Sequence, residues 1–117
     1  MARNGWHILR QPGAVTLARR LPARFDLSAE TAFPATDPAV LAHEVRKDLW
    51  RALRGLRGFS PVVRVAEREC GGLTLRAGGA VSGQMPPLRA TEARIAALLA
   101  DPARRSRWRA HAGRPRG

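Results

Sequence analysis

A chain of 117 residues has room for one domain with a modest core, and its 44% apolar content is too high for a disordered basic tail. The formal charge of +12, from 20 arginines and the single Lys47 against nine acids, calls for an anionic partner. The lone Cys70 excludes an internal disulfide framework and a cysteine-based zinc cluster, and no run approaches the ~20 apolar residues of a membrane span.

The positive charge is segregated. Residues 1–24 carry five arginines and no acid, 46–64 carry six basic groups against Asp48, and 102–117 carry six arginines and no acid. The stretch 25–45 holds Asp26, Glu30, Asp37 and Glu44 and no base. A GC-rich coding bias accounts for Arg in place of Lys, but it removes no carboxylates, so the excess still needs a cause. The N-terminus has charge without a hydrophobic stretch behind it, so no secretory signal is expected. A single thiol fits a reducing cytoplasm, the expected location.

Residues 1–13 read as an N-terminal basic segment with a short apolar patch at 6–9, closed by the turn signal Pro12-Gly13. A short strand is expected at 14–18 and a better one at 24–33, where Phe25, Leu27, Ala29 and Phe33 alternate with Asp26, Ser28, Glu30 and Ala32. Pro34 ends it. Asp37-Pro38 then supplies an N-cap and a first-turn residue for a helix running to about residue 56. Leu41, Val45, Leu49, Leu53 and Leu56 form its apolar stripe, and Gly55 and Gly58 offer stop signals. Val62, Val63 and Val65, then Leu73, Leu75 and Ala77, predict a hairpin over 61–70 and 73–81 turned at Gly71-Gly72, a pair suited to a two-residue primed turn. Residues 82–90 read as a loop, 91–100 as a helix with Ile95, Leu98 and Leu99 on its apolar side, and 102–112 as a third helix after Asp101-Pro102. Residues 113–117 read as a flexible tail. This β-α-β-β-α-like order predicts one compact α+β domain over 14–112, a small antiparallel sheet with helices packed on one face.

Catalytic apparatus is not visible, so a non-enzymatic protein without cofactor or metal is expected. Asp26 and Glu30 share a strand face but stand roughly 13 Å apart at strand spacing, and they read as solvated. His7, His43 and His111 form no HxH or HxxxH pair. Cys70 sits at the expected hairpin tip with Arg68 nearby and reads as an inert thiol. The glycines at 78, 79 and 83 lack the helix and the Lys-Ser/Thr that a phosphate-binding loop requires.

Two basic constellations carry the functional expectation. At 100° per residue, Arg46, Lys47, Arg51, Arg54 and Arg57 fall opposite the Leu/Val stripe, with His43 and Trp50 among them. Trp50 reads either as a platform for stacking a base while arginines hold phosphates, or as a widening of the apolar stripe. The second constellation is Arg104, Arg105, Arg107, Trp108 and Arg109, followed by Arg114 and Arg116. Together they predict a nucleic-acid binder, RNA or DNA, working through phosphate contacts, with Trp50 or Trp108 supplying stacking. The alternative is an accessory subunit or adaptor that docks its basic face on an acidic protein. Peripheral membrane binding is disfavoured, because the Leu stripe of the first helix is committed to the sheet.

Overall fold

The computed structural model describes residues 2, 3 and 5–113, so most of the tail expected at 113–117, with Arg114 and Arg116, lies outside the described residues. Six antiparallel strands form one sheet in the order β1-β2-β3-β5-β6-β4: β1 Ala2–Arg3, β2 Trp6–Gln11, β3 Ala14–Ala18, β4 Leu27–Phe33, β5 Phe59–Glu67 and β6 Leu73–Val81. Three helices, α1 Pro38–Leu53, α2 Leu88–Ala100 and α3 Pro102–Ala112, pack on one face of that sheet. The fold is α+β, as the order of periodicities predicts.

Local chemistry sets most of the boundaries. Pro12-Gly13 joins β2 to β3 with Gln11 opposite Ala14, and Gly13 takes φ +73°, the proline-then-glycine combination of a type II turn. Residues 6–9, which read as an isolated apolar patch, are therefore part of a full strand. Asp37 caps α1, its Oδ1 accepting from the amides of Ala39 at 3.0 Å and Val40 at 3.2 Å. The helix ends at Leu53, three residues before the expected Leu56, whose amide turns back to the Leu53 carbonyl at 2.9 Å. Asp101 repeats the capping role for α3, accepting from the Arg104 amide at 2.9 Å.

The β5–β6 hairpin departs from expectation. Its last cross-strand pair is Glu67–Leu73, so residues 68–72 form a five-residue loop instead of a two-residue turn at Gly71-Gly72. A type I′ turn needs two consecutive positive φ angles, and here Gly71 alone of the pair has one, at +95°. The loop is closed by the Arg68 amide donating to Gly72 O at 2.8 Å and the Gly71 amide donating to Arg68 O at 2.9 Å.

Residues 19–26 carry the chain from β3 to the far edge of the sheet, where β4 adds beside β6, and α1 then returns it to the centre as β5. On the helix side, Leu17, Val63, Val65, Leu75, Ala77, Leu27 and Phe33 join Leu41, Val45, Leu49, Leu53, Ile95 and Leu99 in one buried cluster. At about 25 cal/mol per Å² this apolar burial is the main term holding the layers together. The outer edge of β4 is covered, since Glu92 Oε2 accepts the Ser28 amide at 2.9 Å and Arg105 donates to Ala32 O at 2.8 Å. Asp26, expected on a solvated strand face, instead sits just before β4 and accepts the Val81 amide at 2.8 Å. That bond, with help from Arg24 at 3.2 Å, holds its carboxyl below the usual aspartate value against a small opposing cost of burial. No helix among the described residues is long and apolar enough to cross a membrane.

Candidate anion-binding surface

Helix α1 turns Leu41, Val45, Leu49 and Leu53 to the sheet, buries Ala42 and Asp48 as well, and leaves an outer arc on its far side. Trp50 lies on that outer arc with 41% of its surface exposed. Arg51 and Arg54 at the same end of the helix and Arg57 in the turn that follows are exposed, and the Arg51 side chain, 71% exposed, stands 4.0 Å from Asp48. These cations gather at the helix C-terminus, where the backbone dipole favours positive charge. The two readings of Trp50 are thus separated by geometry: it is not core.

Two neighbours are less free. Lys47 pairs with Glu44 at 2.8 Å, within the same helix. Arg46 lies over the Trp6 ring, 4.8 Å from its centroid, with its Nε buried and unpartnered. Burial draws the Arg46 pKa below the usual arginine value, Glu44 opposing and nearby Arg19 adding to the effect. Arg46 is a cation–π strap over Trp6 more than a free phosphate contact.

The C-terminal constellation divides sharply. Trp108 is fully buried, packs on Phe33 with ring centroids 6.4 Å apart and donates Nε1–H to Asp48 at 2.7 Å. It is a core residue with no face to offer a ligand, contrary to its expected stacking role. Arg105 is also structural: it donates to the carbonyls of Leu99 at 2.9 Å and Ala32 at 2.8 Å and covers the Phe33 ring at 4.8 Å. The reason is the same for both. A short helix docked on α1 must bury one stripe, and residues 105, 108 and 112 share it by three- and four-residue spacing. Arg104 pairs with Asp101 at 3.6 Å, Arg107 pairs with Asp48, and Arg109 is exposed.

The tertiary fold brings parts of both constellations into one groove between α1 and α3. A pocket of about 520 Å³ is lined by Arg51, Arg104 and Arg107 with Asp48 and Asp101, and a smaller one of about 200 Å³ adjoins it at Lys47, Glu44 and His111. The carboxylates neutralise much of this groove, which leaves the Trp50–Arg54–Arg57 surface as the less compensated part. Glu44 titrates low there: burial alone raises its pKa, but Lys47 and His111, the latter 2.7 Å away, outweigh it.

Other sequence candidates remain apart. Cys70 is exposed in the 68–72 loop, and among the described residues no three of His, Cys, Asp and Glu come close enough to hold a metal ion. Arg94, which no sequence motif singled out, donates to the Ala52 carbonyl at 2.8 Å and caps the end of α1. Comparison with protein-family models, with curated proteins and with solved structures gives no match.

Proposed function

We propose that this protein is a non-enzymatic nucleic-acid binder that holds phosphates with Arg51, Arg54 and Arg57 and stacks a base on Trp50. The observation that carries the reading is the exposed indole of Trp50 on a helix whose sheet-facing stripe is complete without it. A large aromatic among weakly compensated guanidinium groups is the combination by which single-stranded segments are gripped without base-specific readout. Lys47, Arg104, Arg107 and Arg109 extend the positive field and raise the encounter rate, while their carboxylate partners temper their affinity.

Titrating single-stranded RNA and DNA oligonucleotides against the intrinsic tryptophan fluorescence tests the proposal. Affinity is expected to fall with salt with a log–log slope of about −0.7 per neutralised phosphate. Trp50→Ala is expected to weaken binding by ~1–3 kcal/mol at a temperature where the variant remains folded. Binding that ignores salt and survives Trp50→Ala would refute the reading and favour an acidic protein docked on the same face.

A further inference from the structure

The side of the sheet away from the helices carries a second basic surface that no sequence motif reveals. Cross-strand register places Arg64 on β5 directly opposite Arg76 on β6, with Thr16 flanking Arg64 and Glu30 flanking Arg76. Like charges directly opposite one another on one sheet face are destabilising, so this pair is an unusual arrangement to keep without a counter-ion. Arg76 is held in place, its Nε donating to Ser28 Oγ at 3.0 Å and its guanidinium 4.2 Å from the Phe25 ring centroid. Among the described residues neither arginine has a carboxylate within ion-pair distance, Glu30 included.

The crossing segment 19–26 adds to this surface. Between it and the same face of the sheet lies a pocket of about 180 Å³ lined by Arg20, Arg24, Ser60 and Ser82. That volume is several times the ~30 Å³ share of one water, so it admits a phosphate group. Arg24 is paired with Asp26 at 3.2 Å, while Arg20 is exposed. The face therefore presents Arg20, Arg64 and Arg76, with Glu30 opposite Arg76 in register and Asp26 held by Arg24.

We propose that this helix-free sheet face, partly covered by segment 19–26, is a second polyanion-binding surface that takes the phosphate backbone of another nucleic-acid segment, so that one chain bridges two segments. The inference rests on the reading of the Trp50 face, and the two surfaces are physically separate. Trp50 points away from the sheet on a helix ~10 Å across, whereas Arg64 and Arg76 project from the opposite side of the strands. A short strand seated on one surface does not reach the other.

The test uses single-stranded DNA oligonucleotides of ~10 nucleotides, within the usual site size, half labelled with a donor dye and half with an acceptor. Wild-type protein is expected to bind two oligonucleotides per chain by sedimentation and to bring the dyes into energy transfer. Arg64→Gln/Arg76→Gln is expected to bind one, to lose energy transfer and to shed about 1.4 from the total salt slope, two contacts at ~0.7 each. Because Arg76 also braces Ser28 and Phe25, Arg64→Gln alone serves where circular dichroism shows the double variant unfolded, with a slope loss of about 0.7. Two-oligonucleotide binding that persists in a folded variant overturns the proposal, as does a wild-type stoichiometry of one with Trp50 quenched, which leaves the Trp50 reading intact. No oligonucleotide bound at all overturns both. Polyglutamate bound by wild type and lost in the variant, with DNA binding unchanged, overturns the proposal in favour of an acidic protein partner.

Discussion

Replacing Asp48 by alanine removes the polar centre of the α1–α3 contact. Its carboxylate is 7% exposed, accepts the Trp108 indole N–H at 2.7 Å and pairs with Arg107. A hydrogen bond to a charged acceptor contributes ~1.5–3 kcal/mol, and a buried donor left without a partner costs ~1–3 kcal/mol. The two figures describe the same lost bond and are not additive, so the expected loss is about 3 kcal/mol. For a domain of this size that lowers the melting temperature on the order of 10 °C. Thermal and urea unfolding of Asp48→Ala, Trp108→Phe and the double variant measure the loss and isolate the pair's coupling, expected at ~0.5–3 kcal/mol. Trp108→Phe removes the N–H donor but also leaves a cavity, so the coupling term of the cycle, not the single-variant cost, reports the hydrogen bond. A loss below ~0.5 kcal/mol in Asp48→Ala, the range of an ordinary surface change, would refute the claim that Asp48 pins α3 to α1.

Leu49→Ala, fully buried under the sheet, is expected to cost ~2–5 kcal/mol in the same unfolding assays. Arg54→Ala, on the outer arc, is expected to stay within ~0.5 kcal/mol of wild type while weakening oligonucleotide binding. Glu44 is depressed below its usual value of 4.5, so its contribution to stability is present above the unfolded pKa and lost as pH falls through the lower folded value. Glu44→Gln is therefore expected to lose less melting temperature than wild type between about pH 6 and about pH 3, and equal losses would refute the role given to Lys47 and His111.

Periodicity and turn chemistry were enough to write the elements from β3 to α3 in order, but not β1 and β2, which read only as a basic segment with an apolar patch. The alternation read over 24–33, of which 27–33 forms β4, the Leu stripe of α1, and the Asp37-Pro38 and Asp101-Pro102 starts are local signals, each a consequence of backbone geometry over a few residues. Boundaries slipped where a local preference competed with pairing. The hairpin loop opened to five residues because the Glu67–Leu73 pair set the register, not the two glycines.

Which arginines are free was not legible in the chain. Composition sets net charge, but a guanidinium is taken out of play only by what folds against it: Trp6 for Arg46, Phe33 and two carbonyls for Arg105, Asp48 for Arg107. The same docking buried Trp108 and left Trp50 exposed, although both indoles sit among arginines in sequence. Arg64 and Arg76 are twelve residues apart and become partners only through strand register. Short-range periodicity determined the elements from β3 onward, and long-range packing decided which charges face water, because desolvation acts on neighbours in space and not along the chain.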